Sequence, residues 1–279
     1  MKEIFLCAIS NISSGNCSED CSFCTQSAYN NVDIKKYKQK SLEKILEEAI
    51  YAKNNKAIGF CLVTAGKGLD DKKLEFVCKI AKKINNEIPE LNLIACNGTA
   101  NKEQLKELKK AKISSYNHNL ETSEQYYKNI CSTHSWKERF QTCLNVKDAG
   151  LKLCTGGIFG LGEDEQDRIS FVKSLSELQP HSSPLNFFHP NDKLPLESKT
   201  FDIDEALKWI AYTRKHLPNI RLMVAGGREI TFGKRWPEIF QAGANSIVIG
   251  NYLTTFGNKP NDDIDTITNL GYKIAKFCK

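Results

Sequence analysis

Hydrophobic and polar residues follow two alternating periods along the chain. Short runs rich in β-branched and aromatic residues alternate with longer segments whose apolar residues recur at spacings of three and four. The predicted strands are 3–9, 58–64, 91–96, 114–118, 151–155, 184–188, 219–225 and 245–249. The predicted helices are 41–55, 72–87, 102–111, 136–149, 165–178, 203–216 and 235–242. Ser41 is a typical helix N-cap, and Gly150 and Gly243 lie where helices are expected to end.

The repeated strand–helix order predicts a parallel sheet, because parallel neighbours must be joined by crossover connections. Eight such strands predict a single α/β domain over residues 1–279, a (β/α)8 TIM-type barrel. A flatter, doubly wound sheet remains the alternative. Either architecture is expected to bind ligands at the carboxyl ends of its strands.

Composition narrows the class of protein. The chain has 279 residues, of which 41% are hydrophobic and 26% charged, which excludes a disordered, collagen-like or coiled-coil protein. It contains neither a run of about 18 apolar residues nor a secretory signal, so we expect a cytoplasmic protein without a membrane segment. The formal charge of +6 is spread over lysines interleaved with acidic residues, which favours a solvated surface over a nucleic-acid groove.

The 11 cysteines are the unusual part of the composition. An odd number in a long cytoplasmic chain favours metal binding or catalysis over disulfides. Cys17, Cys21 and Cys24 follow the first strand at spacings of four and three. Three thiolates on one loop suit three corners of a four-iron, four-sulfur (4Fe-4S) cluster, with the fourth iron left open. A structural zinc site is the alternative, but it needs four ligands, and no second cysteine pair lies nearby.

This Cys-x-x-x-Cys-x-aromatic-Cys loop resembles the signature of the radical S-adenosyl-L-methionine (SAM) superfamily. The resemblance implies that SAM chelates the open iron and that one electron from the cluster cleaves SAM into methionine and a 5′-deoxyadenosyl radical. It also implies that Phe23 lies near the adenine of SAM.

Further motifs are similar to those of one family within this superfamily, the biotin synthases. They are "SGNCSEDCSFCTQS", "SYNHNLETS", "CTGGIFGLGE", "AGGRE" and "GANSI", in this order between about residues 5 and 255. The resemblance implies insertion of sulfur between two saturated carbons of dethiobiotin, with two SAM molecules used in succession. It further implies an auxiliary cluster, usually 2Fe-2S, that supplies the sulfur and must be rebuilt after each turnover.

Cys61, Cys96 and Cys154 lie on separate predicted strands and form a ligand set only if all three point into the barrel. The resemblance implies that they hold the auxiliary cluster together with an arginine on the seventh strand. Met223 stands at that arginine's position here, while Arg221 lies two residues earlier, on the same face of the strand. Arg221 is the first candidate for the fourth ligand.

Two further thiols are alternatives to Arg221. Cys7 lies in the first strand, where the family more often has serine, and Cys131 follows the fourth strand. Either would make the site all-thiolate, which then suits a cluster other than the usual two-iron one. For Cys78 and Cys143, in predicted helices, and for Cys278, at the tail, we expect structural roles only.

The remaining motifs predict the binding residues. Glycines after the fifth strand permit close backbone approach, and the polar run after the fourth strand suits a pocket better than a core. The resemblance implies that Gly156 and Gly157 meet the methionine part of SAM, that Arg139 pairs with its carboxylate, and that Asn119 and Glu121 bind its ribose. The family usually has aspartate where this chain has Glu121.

Asn117 and Asn186 are expected, by the same resemblance, to hold the ureido ring of dethiobiotin. Expected partners are a low-potential one-electron donor of the flavodoxin or ferredoxin type and a second copy of the chain in a homodimer. Three rivals stay open: a tRNA-thiolating radical SAM enzyme, a biotin synthase-like enzyme with another product, and an iron–sulfur electron carrier or storage protein.

Overall fold

Eight parallel strands close into a barrel in the computed structural model, which describes residues 2–197 and 199–277. In order around the barrel they are β1 (Glu3–Asn11), β2 (Gly59–Val63), β3 (Asn92–Cys96), β4 (Ser115–Asn117), β5 (Lys152–Cys154), β7 (Ser182–Phe187), β8 (Arg221–Val224) and β9 (Ser246–Val248). The barrel closes because β9 pairs with β1, where Cys7 lies opposite Val248. All eight predicted strands and the predicted barrel are confirmed.

Helices connect the strands and cover the outside of the barrel. They are α1 (Leu42–Asn54), α2 (Asp71–Glu87), α3 (Lys102–Lys110), α4 (Glu124–Tyr127), α5 (Trp136–Asp148), α6 (Glu165–Leu178), α7 (Ile203–His216), α8 (Arg228–Phe232) and α9 (Pro260–Asn269). Ser41 caps α1 as predicted, accepting a hydrogen bond from the Lys44 amide. Gly150 has a φ of +71°, which lets the chain turn back after α5.

Several elements differ from the sequence prediction. The segment Gly233–Phe240 is a 3-10 helix, because Pro237 lies inside it and cannot donate a backbone hydrogen bond. The short helices α4 and α8 have only 4 and 5 residues, too few for a helical period to be visible in the sequence. Two short strands, β6 (Gly157–Phe159) and β10 (Lys273–Ile274), pair at the barrel's margin with β7 and β1.

Alternation along β1 decides which of its side chains face the barrel interior. Ile4 and Leu6 are buried in the main hydrophobic cluster between barrel and helices. Cys7 and Ile9 instead contact a small inner cluster formed by Met223, Ala225 and Val248. Successive side chains on a strand point to opposite faces. The alternation therefore puts Cys7 inside the barrel.

Cys96 and Cys154 are the last residues of β3 and β5, whereas Cys61 lies in the middle of β2. Cys61 is opposite Ile9 of β1, and Cys154 is opposite Asn117 of β4.

Within residues 2–197 and 199–277, no helix is long and apolar enough to cross a membrane.

Candidate active site

The three cysteines of the first loop lie on a segment that local hydrogen bonds hold in place. The Cys24 amide donates to the Cys21 carbonyl at 3.1 Å. The side-chain amide of Asn30 donates to the same carbonyl at 3.1 Å and to the Cys24 carbonyl at 2.8 Å. The Cys17 amide donates to the Gln26 carbonyl at 3.0 Å. These contacts fix the backbone from which all three thiols project.

The thiols of this loop interact electrostatically with one another. Burial raises the pKa of Cys24 to about 11, and the charge of Cys17 contributes to the increase. The pKa of Cys21 is raised first by its hydrogen bond to Cys131 and then by burial. Iron binds the thiolate form, so loading this loop with metal releases protons. Three grouped soft ligands fit an iron–sulfur cluster.

Phe23 lies between Cys21 and Cys24 in the sequence. Its side chain is half-buried and packs against the hydrophobic core.

A second group of thiols lies inside the barrel. The Cys61 thiol donates to Cys96, which raises the pKa of Cys61 and lowers that of Cys96. The charges of Cys154 and Cys7 add to the increase at Cys61. Burial raises the pKa of Cys154 itself to about 12. The structure therefore places the thiols of Cys7 and Cys96 within electrostatic range of Cys61 and Cys154, and sulfur donors of this kind suit iron.

The other candidates for the fourth ligand of this inner group lie elsewhere. Arg221 packs its guanidinium over the Phe5 ring, 4.4 Å from the centroid, beside a cavity of about 430 Å³ at the amino-terminal end of the barrel. Cys131 lies beside the other cluster loop, with its sulfur 3.7 Å from that of Cys21. Met223 is buried in the inner cluster that Cys7 contacts.

Arg139 is the centre of the polar pocket predicted for SAM. Its Nε donates to the Asn119 carbonyl at 2.6 Å, and its Nη2 donates to Glu121 Oε1 at 2.8 Å. Burial alone would lower the pKa of Arg139, but the Glu121 carboxylate raises it above its usual range. The structure thus joins Arg139, Asn119 and Glu121, as the sequence predicts for one binding site.

Glu121 has an unusual backbone. Its φ is +70°, and its carbonyl accepts a hydrogen bond from Ile158 at 2.8 Å. Positive φ at a residue other than glycine is strained and often occurs at functional sites. The side chain is buried and accepts from Asn119 Nδ2 at 3.4 Å, and burial raises the pKa of its carboxyl.

Gly156 and Gly157 have a structural reason to be glycine. A Cβ at Gly156 would lie 1.9 Å from the Pro184 carbonyl oxygen, and one at Gly157 would lie 2.3 Å from the Glu121 carbonyl oxygen. Both clashes are with backbone atoms and cannot be relieved by a side-chain rotation. Gly156 therefore lets the segment before β6 pass close to β7, and Gly157 lets β6 approach the backbone of Glu121.

Two buried carboxamide oxygens in this region, Asn117 Oδ1 and Asn119 Oδ1, lack a hydrogen-bond partner among the described residues. Burying an acceptor in this state is costly unless a ligand satisfies it. Asn117 also donates from Nδ2 to the Cys96 sulfur at 3.2 Å. Asn117 thus contacts one of the inner thiols and keeps a buried oxygen without a partner among the described residues.

Both polar atoms of the Asn186 side chain already form hydrogen bonds within the protein. Its Nδ2 donates to the Gly157 carbonyl at 3.0 Å, and its Oδ1 accepts from the Gly226 amide at 2.9 Å. One N–H proton and one oxygen lone pair remain for a ligand. Asn186 therefore ties β6 to the end of β8 in addition to its predicted contact with substrate.

Sequence reasoning missed His134 and Thr254. His134 is buried and contacts both Arg139 and Glu19. Thr254 Oγ1 lies 2.9 Å from Thr25 Oγ1, which links the loop after β9 to the cluster loop. The signal for His134 was available in the run "NICSTHSW", which crowds polar residues around a cysteine directly after the fourth strand's motif.

The cysteines expected to be structural are in ordinary surroundings. Cys143, on α5, is buried and donates to the His118 carbonyl at 3.3 Å. Cys78, on α2, is half-buried and packs against the core. Cys278 lies outside the described residues.

Comparisons with known proteins agree with this geometry. Residues 11–175 match the model of the radical SAM superfamily, and residues 184–273 match the biotin and thiamin synthesis associated domain. The chain is 59% identical to the biotin synthase of a Nitratiruptor species, over 99% of both chains. It is 56% identical to the biotin synthase of Aliarcobacter butzleri, over 99% of this chain and 98% of that one.

A solved structure agrees at the level of the fold. The FeFe-hydrogenase maturase HydG from Carboxydothermus hydrogenoformans superposes with a TM-score of 0.86 at 18% identity, covering 99% of this chain and 68% of that one. A barrel carrying a three-cysteine loop after its first strand, matched by the superfamily model, defines a radical SAM enzyme. Within that superfamily the chain belongs to the biotin synthase family, as its full-length relatives show.

Proposed function

We propose that this chain converts dethiobiotin into biotin through SAM-derived radicals, with sulfur taken from an auxiliary cluster inside the barrel. The observation that carries the proposal is the arrangement of its sulfurs. One thiol group lies on the loop after β1, and a second converges inside the barrel, with Asn117 in contact with Cys96 of that second group. An iron–sulfur electron carrier requires neither the second thiol group nor the pocket around Arg139.

The cluster loop and the polar pocket hold SAM in this proposal. Cys17, Cys21 and Cys24 would bind a 4Fe-4S cluster, which supplies the electron that cleaves SAM. Arg139 keeps one N–H on each terminal nitrogen beyond its described hydrogen bonds, and these two suit a carboxylate. Asn119 Oδ1 and the Glu121 carboxylate would accept from the ribose hydroxyls. Phe23 would lie against the adenine, and Gly156 and Gly157 against the methionine part.

Asn117 and Asn186 hold the other substrate in this proposal. Asn117 Oδ1 would accept from a ureido N–H, and the second Nδ2 proton of Asn186 would donate to the ureido carbonyl. The protein's contribution is then mostly placement. It would set the target carbons between the radical source and the inner sulfurs.

We propose Cys7 as the fourth ligand of the auxiliary cluster, beside Cys61, Cys96 and Cys154. Three observations support it over Arg221. The charge of Cys7 acts on both Cys61 and Cys154, and Met223 fills the place on β8 beside Cys7 with an apolar side chain. Arg221 stacks on Phe5 near the barrel's amino-terminal end. An all-thiolate site follows, in place of the mixed site that the sequence suggests first.

Three further proposals concern the electron donor, the oligomeric state and the location of the protein. Family membership supports a low-potential electron donor of the flavodoxin or ferredoxin type and a homodimer. A cytoplasmic location is supported by the state of the cysteines, because those within the described residues form no disulfide with one another.

Anaerobic incubation of the reconstituted enzyme with SAM, a reductant and dethiobiotin tests the proposed function. We expect biotin together with two equivalents of 5′-deoxyadenosine, and no more than one biotin per auxiliary cluster. Deoxyadenosine without biotin would contradict the assignment of dethiobiotin as substrate. Absence of deoxyadenosine from enzyme with a full 4Fe-4S cluster would contradict the radical mechanism.

A further inference from the structure

We infer that His134 is a positioning residue, which fixes the orientation of Arg139 and connects the SAM pocket to the cluster loop. This inference rests on the proposed function, because it concerns the binding of SAM. His134 lies in the loop between α4 and α5, and 7% of its surface is exposed. None of the motifs that indicate the family contains it.

His134 contacts both parts of the site through its two ring nitrogens. Its Nδ1 lies 2.7 Å from Glu19 Oε2, on the loop between Cys17 and Cys21. Its Nε2 lies 3.0 Å from Arg139 Nη1 and 2.9 Å from the Tyr127 hydroxyl. A continuous set of buried hydrogen bonds therefore runs from the cluster loop, through one imidazole ring, to the arginine of the SAM pocket.

The partners of His134 assign its tautomer. A guanidinium can only donate hydrogen bonds, so Nε2 must accept from Arg139. The ring proton is then on Nδ1, which donates to the Glu19 carboxylate. This assignment argues against a metal site at His134, although Cys21 and Cys131 lie near enough to form one with it. A metal at Nδ1 would require a proton on Nε2, directed at a group that only donates.

The ring completes the set of acceptors around Arg139. Nε donates to the Asn119 carbonyl, Nη2 to Glu121, and Nη1 to His134. Each nitrogen of the guanidinium thus has one fixed acceptor, and the plane of the group is determined before SAM binds. Such preorganisation reduces the entropy lost on binding and strengthens a carboxylate contact. Removing the acceptor at Nη1 leaves that nitrogen without a hydrogen-bond partner and leaves the plane of the guanidinium less constrained.

Two substitutions separate this role from a packing role. Phenylalanine keeps the ring volume and the T-shaped contact with Tyr127, whose ring centroid lies 5.9 Å away. It removes both nitrogens. Glutamine keeps an oxygen that can accept from Arg139 and an N–H that can donate to Glu19. His134→Phe therefore removes the polar function, and His134→Gln restores it.

The test is the dissociation constant of SAM for the anaerobically reconstituted holoenzyme, measured by equilibrium dialysis with iron content as a check on cluster loading. We expect His134→Phe to weaken SAM binding about 10-fold or more at unchanged iron content. We expect His134→Gln to stay within about 3-fold of the wild type. In an Arg139→Gln background, His134→Phe should add little further loss, because its effect acts through Arg139.

Other outcomes would overturn the inference. Wild-type affinity in fully loaded His134→Phe would show that the ring does not position Arg139. An equal loss in the Arg139→Gln background would show a route that bypasses Arg139, and loss of iron in place of SAM affinity would assign His134 to the cluster loop alone. His134→Leu serves the same comparison if the phenylalanine variant does not fold. Wild-type enzyme that cleaves no SAM would instead contradict the proposed function.

Discussion

The arginine of the "AGGRE" motif, Arg228, gives a stability prediction that can be worked from the structure. Arg228 is fully buried, and its Nη2 lies 2.6 Å from Oδ2 of Asp263, which is also fully buried, on α9. Oε1 of a second carboxylate, Glu229, lies 2.8 Å from the same nitrogen. The Trp236 ring packs against the guanidinium, with its centroid 4.6 Å from Arg228 Cζ. The pair joins α9 to the first residue of α8.

Asp263→Asn removes one charge of this pair and leaves Arg228 buried. Breaking a buried ion pair from one side costs about 3 to 5 kcal/mol, because the remaining charge is uncompensated. Glu229 still neutralises part of that charge, so we expect the lower end, about 3 kcal/mol. Replacing both partners, as in Arg228→Met with Asp263→Leu, removes the penalty, and this variant should be clearly more stable than Asp263→Asn.

Urea unfolding of the cluster-free protein, followed by circular dichroism, measures this difference. Asp265→Asn is the matched control, because Asp265 is an exposed aspartate on the same helix and should change the free energy of unfolding by no more than about 0.5 kcal/mol. A loss below about 1 kcal/mol in Asp263→Asn, or a double variant less stable than the single one, would refute the reasoning.

Two further predictions concern the substrate pockets. Gly156→Ala forces a Cβ to within 1.9 Å of the Pro184 carbonyl oxygen, so we expect the free energy of unfolding in urea to fall by about 1 to 3 kcal/mol; a loss below about 0.5 kcal/mol, as for a typical surface substitution, would contradict the close approach of Gly156 to β7. Asn117→Ala removes the unpartnered oxygen, so the KM for dethiobiotin should rise about 10-fold with SAM affinity unchanged; an unchanged KM would remove Asn117 from the substrate site.

The barrel could be predicted from the sequence because the apolar pattern that indicates each strand or helix lies within that element itself. Each of the eight strands is a short apolar run, and the helices between them carry a clear period. The signal failed where an element is too short to show a period, as in α8, or where a proline alters the helix type, as Pro237 does in the 3-10 helix. The helix α9, with 10 residues, was not predicted at all. The ends of the other predicted elements moved by only a few residues.

The site could be predicted in part. The spacing of Cys17, Cys21 and Cys24 predicted a cluster loop, and the family resemblance predicted that Cys61, Cys96 and Cys154 point into the barrel. The proposal of Cys7 in place of Arg221 depends on the layer of the barrel that each side chain reaches, which follows from strand register and is not visible in the sequence. His134 was missed because none of the family motifs contains it and because its contact with Glu19 joins residues 115 positions apart along the chain.

Mössbauer spectroscopy of iron-57-reconstituted enzyme tests most directly the claim that an all-thiolate site lies inside the barrel. Wild type, Cys7→Ser and Arg221→Met are compared after anaerobic purification. The account predicts that Cys7→Ser alters or abolishes the signal of the auxiliary cluster, while Arg221→Met leaves it unchanged and both variants retain the signal of the cluster on the first loop. An auxiliary signal that changes in Arg221→Met and survives intact in Cys7→Ser would contradict it.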